Sequence, residues 1–287
     1  MINKFNLVWP APAKINWFLH ITGRRADGYH ELQTAFQFVE FGDTLQFELT
    51  DDAQVQLLTP LPNVNPDHDL TVRAARLLQT HTRVTQGANI RLQKNIPLGG
   101  GLGGGSSDAA TTLVALNHLW NTQLTLTELA QLGLSLGADV PVFVQGHAAW
   151  AEGVGEQLTP ITLPEQYLLL ILPPVSVATA TIFQDPHLTR DCPPSTIRDL
   201  LSGACRNVCE PVTIRHYPLI GEAMAWLNGH TRAYMSGTGS TVFGFFTERA
   251  LAENCLAALQ KQLPSDFRGV LTRGMNRSTL HFLLDDL

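Results

Sequence analysis

The chain has 287 residues, of which 44% are hydrophobic and 15% charged, a balance that supports a buried core and leaves too little charge for a long disordered arm. With 19 Lys and Arg against 25 Asp and Glu, the net charge is −6, which argues against a surface that tracks a phosphate backbone, so no nucleic acid partner is expected. The apolar runs fall far short of the ~20 residues that a membrane-spanning helix needs, so no membrane partner is expected either.

At the start of the chain the apolar stretch after Lys4 is interrupted by Asn6, Pro10, Pro12 and Lys14, which breaks any signal-peptide core and predicts a cytoplasmic protein. Strand-like alternation follows at 15–22, 44–49, 55–58 and 89–94, and again at 148–152 and 167–172. Helical spacing lies between these segments: at 70–79, with Leu70, Ala74, Leu77 and Leu78 on one face, and through Ala109, Leu113, Leu116 and Trp120. Two further helices are predicted at 127–136, with Thr127 as the capping residue, and at 248–262. Strands cluster in antiparallel fashion rather than alternating regularly with helices, which predicts an α+β fold. Turn chemistry at Gly153, Gly155 and Pro160 places a division near residue 158, giving halves 1–158 and 159–287.

Cys192, Cys205, Cys209 and Cys255 form no CxxC pair, and the ten histidines are scattered without an HExxH motif. Reduced thiols and no protein-held metal are the expectation.

The segment Pro97-Leu98-Gly99-Gly100-Gly101-Leu102-Gly103-Gly104-Gly105-Ser106-Ser107 stands between a predicted strand and a helix expected to begin near Ser107. Ordering so many glycines costs backbone entropy, so the run implies a close approach to the main chain or repeated positive φ. Bare amides ahead of a helix N-terminus suit a phosphate. No Lys follows as in the common NTPase loop. A GxGxxG match exists at Gly99, Gly101 and Gly104, but no acidic residue closes a second strand where a dinucleotide's ribose would sit. The HRD and DFG segments of protein kinases do not occur.

The pattern PxGGGLGGGSS resembles the second motif of the GHMP small-molecule kinases. Pro12-Ala13-Lys14-Ile15-Asn16 resembles their first motif and Ser236-Gly237-Thr238-Gly239-Ser240 their third. Three more segments resemble the branch whose substrate is a cytidine-diphosphate-linked methylerythritol: Arg25-Ala26-Asp27-Gly28-Tyr29-His30, Leu136-Gly137-Ala138-Asp139-Val140-Pro141-Val142-Phe143, and Ala151-Glu152-Gly153-Val154-Gly155-Glu156. Two residues depart from the pattern: Ser240, where a small apolar residue is usual, and Asp69, where an Asn often precedes the helix.

The resemblance implies a two-domain fold, with an N-terminal domain like the second domain of ribosomal protein S5, a ferredoxin-like C-terminal domain, and the site in the cleft between them. It implies an ATP-dependent kinase, with Mg²⁺ carried by the ATP, that phosphorylates the 2-hydroxyl of the cytidyl substrate in the non-mevalonate route to isoprenoid precursors. Residues 97–107 would hold the ATP phosphates, with the Ser106 and Ser107 hydroxyls on phosphate oxygens or Mg²⁺. By itself Asp139 reads as a cap or turn former and Lys14 as a solvated strand-edge cation; the resemblance makes Asp139 the base and Lys14 the cation beside it. Asn16, on the same strand face as Lys14, is placed to orient the acceptor. Tyr29 and His30 are assigned to cytosine, and Phe183, otherwise an ordinary packing residue, to stacking on the base from the opposite side. The rival readings are a GHMP kinase acting on mevalonate or homoserine, for which these three side chains would have no base to bind, and a nucleotide-binding regulator without catalysis. The oligomeric state is left open, a homodimer included.

Overall fold

The computed structural model describes residues 7–26, 28–61 and 65–287. Lys4 and Asn6, used above to read the start of the chain, and Asp27 of the Arg25 to His30 motif lie outside the described residues. The strands are β1 (Trp9–Arg24), β2 (His30–Thr50), β3 (Val55–Leu57), β4 (Gly87–Gln93), β5 (Ala149–Glu152), β6 (Gln157–Pro160), β7 (Tyr167–Leu172), β8 (Ala233–Met235), β9 (Val242–Phe246) and β10 (Arg268–Met275). The helices are α1 (Leu70–Thr82), α2 (Gly104–Leu119), α3 (Leu126–Leu134), α4 (Val140–Gln145), α5 (Thr179–Gln184), α6 (Ile197–Leu201), α7 (Glu210–His216), α8 (Pro218–Asn228), α9 (Arg249–Gln262) and α10 (Thr279–Asp285).

One long antiparallel pair, β1 with β2, runs from Trp9 opposite Leu45 to Arg24 opposite His30. The predicted strands 15–22 and 44–49 are pieces of it. Its register shifts between Pro12 and Lys14, Asn16 and Leu19, and Ile21 and Gly23; such irregularities re-aim the side chains beside them, and the first two flank Lys14 and Asn16. The other edge of β2 is shared by β4 along Thr44–Thr50, β10 at Phe38 and Val39, and β5 along Thr34–Phe36. β7 lies between β10 and β9, with β8 outermost, so β10 ties the two groups of strands into one sheet. Among the described strands only β3 with β4 is parallel, as the α+β reading expects.

The cores follow from the pleat. On β7, Leu169 and Ile171 pack with Ile220, Leu227, Val242 and Leu259 in one cluster, while Leu168 and Leu170 face the other way, against Ala13, Ile15 and Phe243. A further cluster gathers Trp9, Phe38, Ile90, Leu78, Leu113 and Phe143 beneath α1, α2 and α4. Each such side chain gains roughly 1.5–3 kcal/mol on burial. Met275 and Leu280, from the end of the chain, join this last cluster, and residue 158 falls inside β6, which pairs with β5.

Two helix starts differ from the sequence reading. α3 is capped by Thr125, not Thr127, because Glu128 stands three residues after Thr125 and the two close a reciprocal capping box. α2 begins at Gly104, with Gly103 in the left-handed region at its cap, so both serines of the glycine segment lie inside its first turn. Asp69 caps α1 by accepting from the Thr71 amide at 2.8 Å, a use for the carboxylate at this departure from the family pattern.

Candidate active site

The glycine segment lines one side of a cleft of about 360 Å³, which Pro97, Leu98 and residues 99–106 share with Lys14, Asn16, Asp139, Phe183 and Thr238. Gly99, Gly101 and Gly103 have φ of +67°, +74° and +70°, and alternation of this kind turns successive amides to one side. The loop's carbonyls are held by protein: Gly99 O accepts from Val177 and Ser240, Gly100 O from Thr241, and Leu102 O from Lys14. Among the described residues, none of the amides from Leu98 to Ser106 has a protein acceptor. A loop anchored by its carbonyls, with bare amides before the N-terminus of α2, fits the polyphosphate of a nucleotide. The close approach that its glycines permit is first an approach by protein: a Cβ on Gly101 would stand 2.2 Å from Ser236 O.

Ser106 faces the cleft and Ser107 does not. The Ser107 side chain is fully buried and donates to Pro12 O at 2.7 Å, which pins α2 to β1. Its hydroxyl is therefore engaged away from any phosphate or Mg²⁺.

The first bulge in β1 brings Lys14 under the loop. Lys14 is 4% exposed, donates from Nζ to Asn16 Oδ1 at 2.6 Å and to Gly101 O at 3.4 Å, and lies 3.3 Å from Asp139 Oδ2. The Phe36 ring sits 5.1 Å from the same nitrogen. Asp139 occupies the cap position of α4 but makes no capping hydrogen bond, so its carboxylate is not needed by the helix it precedes. Asn16 Nδ2 donates to Thr34 Oγ1 at 2.9 Å, leaving its carbonyl to Lys14. Asn16 thus orients the lysine directly while lining the same cleft.

The third motif closes on the second through Ser236, whose hydroxyl accepts from the Asn16 amide at 3.1 Å and donates to Gly101 O at 2.8 Å. Asn207 Nδ2 holds Met235 O and Gly237 O at 2.8 and 2.7 Å, and Thr213 Oγ1 holds Thr238 O at 3.0 Å. Thr179 and Thr238 meet hydroxyl to hydroxyl at 3.2 Å inside the cleft. Neither Asn207 nor Thr179 carries a local signal in the sequence; only the packing of α5 and α7 against the third motif places them here.

A second cavity of about 540 Å³ adjoins the first, with Leu32, Val154, Thr179 and Phe183 lining both. Tyr29, 65% exposed, and His30 line it too. The His30 and Phe183 rings are stacked, with centroids 5.2 Å apart and planes at 28°, and so are already in mutual contact. With the rings in contact, no base lies between His30 and Phe183 in this arrangement. Arg190, which the sequence reading did not single out, lines this cavity and donates from Nε to His30 Nε2 at 3.1 Å.

Behind the loop, Lys94 joins Asp43 and Asp108, with Nζ 2.5 and 2.6 Å from their carboxylates. Asp43 Oδ1 also accepts from the Ile96 amide at 2.8 Å, fixing the chain just before the glycines.

Comparison with known proteins identifies the family. The GHMP kinases N terminal domain model matches residues 69–147, and the GHMP kinases C terminal model matches residues 194–265. A 4-diphosphocytidyl-2-C-methyl-D-erythritol kinase of Nitrosococcus oceani is 56% identical over 96% of this chain and 96% of its own length. One from Pseudomonas paraeruginosa is 53% identical over 97% of each. A crystal structure of a 4-(cytidine 5'-diphospho)-2C-methyl-D-erythritol kinase superposes with a TM-score of 0.80 at 32% identity, over 93% of this chain and 99% of that one. A mevalonate kinase structure, 17% identical with a TM-score of 0.70 over 95% of this chain and all of that one, shares the fold.

Proposed function

The chain belongs to the 4-diphosphocytidyl-2-C-methyl-D-erythritol kinases, a branch of the GHMP kinases, and from that premise we propose that Asp139 and Lys14 carry out the transfer in the first cavity while the second takes the cytidyl end of the substrate. The reaction is ATP-dependent phosphorylation of the 2-hydroxyl of 4-diphosphocytidyl-2-C-methyl-D-erythritol, giving the 2-phosphate and ADP in the methylerythritol phosphate pathway.

The observation that carries the assignment is the 3.3 Å approach of Lys14 Nζ to Asp139 Oδ2 beside the glycine segment. Phosphoryl transfer to an alcohol needs the nucleophile and γ-phosphate aligned, the developing charge neutralised and the hydroxyl proton accepted. Asp139, a third exposed and without a cap bond, accepts that proton as the oxygen attacks phosphorus. Lys14, fixed by Asn16 and Gly101, supports the negative charge that develops on the acceptor oxygen. The amides of 98–106 hold the phosphates. Mg²⁺ carried with ATP would supply neutralisation of the phosphate charge, and Ser106, whose side chain lines the cleft, would be the loop hydroxyl available to it. Tyr29, His30 and Phe183 hold the cytosine, with stacking on an aromatic ring worth about 1–3 kcal/mol. The division near residue 158 separates a half that supplies the loop, Lys14 and Asp139 from one that supplies Phe183 and Thr238, with Leu280 returning to the first core.

The test is ADP release with ATP and Mg²⁺ on three alcohols: the cytidyl substrate, mevalonate and homoserine. Turnover restricted to the first is expected. Turnover of mevalonate or homoserine with none of the cytidyl substrate would overturn the reading of the second cavity.

A further inference from the structure

The second cavity contains a contact that the transfer chemistry does not need. Arg190 Nε donates to His30 Nε2 at 3.1 Å, while its remaining nitrogens hold the Leu188, Phe183 and Asp185 carbonyls at 3.0, 2.8 and 2.8 Å. One guanidinium therefore fixes both the backbone that carries the Phe183 ring and the orientation of the His30 ring stacked on it.

The chemistry of the pair decides where the imidazole proton sits. Arginine has donors and no acceptor, so a ring nitrogen that meets its N–H must offer a lone pair. A neutral imidazole with its lone pair on Nε2 carries its hydrogen on Nδ1. Burial, with Arg190 and Arg24 adding to it, holds His30 below its usual range, so the ring stays neutral. Among the described residues Nδ1 has no protein partner, and the ring lines the cavity.

We propose that Arg190 is a positioning residue for nucleobase selection: it locks His30 in the Nδ1–H tautomer, making His30 an obligate hydrogen-bond donor that suits the ring acceptors of cytosine, N3 and O2, and opposes the N3–H of uracil. This rests on the reading that the second cavity takes the cytidyl group. A pyrimidine edge is read by matching donors to acceptors, and a mismatched donor pair leaves two buried polar groups unpaired. Were the tautomer free, His30 could turn a lone pair toward uracil N3–H and the preference would fade.

Two measurements test it. In ¹⁵N-labelled wild-type protein, His30 is expected to show a protonated Nδ1 and an unprotonated Nε2. In competition against the cytidyl substrate, CMP is expected to outcompete UMP by about tenfold or more in the wild type, and this ratio is expected to fall toward one in Arg190→Met as the His30 spectrum becomes a tautomer mixture. If Arg190→Met does not fold, Arg190→Gln, whose amide offers both a donor and an acceptor and so imposes no tautomer, supplies the comparison, and the wild-type spectrum reads the tautomer with no substitution. A wild-type spectrum with the proton on Nε2, or an unchanged ratio in a variant that still binds CMP, overturns the lock. Failure of CMP to compete at all in the wild type overturns the cytidyl reading beneath it, a result told apart because the His30 spectrum is recorded without nucleotide.

Discussion

Ser236 hydroxyl donates to the Gly101 carbonyl at 2.8 Å while accepting from the amide of Asn16. One side chain thus joins three separate motifs at the point where the glycine segment turns over Lys14. Replacing Ser236 by Ala leaves the buried Asn16 amide without its acceptor and loosens Gly101. The expected result is a loss of about 1–3 kcal/mol in stability together with a raised KM for ATP. Thermal denaturation and ADP-release kinetics on the same preparation check both.

Gly101 itself tolerates no side chain. Its φ is +74° and an added Cβ would lie 2.2 Å from Ser236 O, a backbone atom that cannot swing aside. Gly101→Ala is expected to reduce ATP affinity by more than Ser236→Ala does, because it displaces the loop where the serine change only releases it. Titration with a non-hydrolysable ATP analogue compares the two.

Asp139→Asn retains the shape of the carboxylate and removes its capacity as a base. A fall in kcat of at least about 10² is expected, with circular dichroism unchanged. Lys14→Met is expected to cost a similar factor, and the double variant little more than either alone, because the two groups act as a unit. A near-native rate in Asp139→Asn would remove it from the role assigned above.

Lys94 presents a different kind of dependence. It sits between the carboxylates of Asp43 and Asp108, which are 0% and 4% exposed. Lys94→Met would bury both without a cation, and a loss of roughly 3–5 kcal/mol is expected from such a broken pair. Asp108→Asn should cost much less. Asp108 Oδ1 has no hydrogen-bond partner, and burial pushes this carboxyl well up from the usual carboxylate range against the pull of Lys94. Urea denaturation of the two variants checks the order; losses of no more than about 1 kcal/mol in both would mean that the cluster behaves as a surface ion pair.

Stability should fall in mild acid. Burial holds His281 below its ordinary value of 6.5, with His147 and Arg277 acting in the same direction and the bond to Val144 O and the Asp285 charge opposing. The folded protein takes up this proton less readily than the unfolded chain. The contribution is therefore complete above the unfolded value and is lost as pH falls from there through the lower folded value. His20 and His30 are shifted the same way. Melting temperature is expected to decline between about pH 7 and about pH 5, and less steeply in His281→Gln; equal slopes in the two proteins would assign the effect to other groups.

Local chemistry announced the glycine segment, β7, α9 and most of α1, because runs of glycine, alternation and helical spacing are properties of neighbouring residues; the motifs around the glycines were legible only through their resemblance to a family. It did not announce the full length of β2, where Glu31, Gln33, Gln37 and Glu40 interrupt the apolar alternation; Gln37 is nonetheless fully buried, accepting from Trp17 and donating to Pro164 O. Nor could spacing tell that Ser107 turns to Pro12 while Ser106 keeps the cleft, or that His30 and Phe183 stack on one another. Those outcomes depend on which distant strand or helix arrives alongside. Residue chemistry alone led to the expectation of a phosphate-binding loop ahead of a helix, and the family resemblance to the acid and lysine expected to serve it. The tertiary structure decided that these two meet at 3.3 Å and that Arg190 reaches His30, because an ion pair or hydrogen bond exists only once folding has brought its two ends within reach.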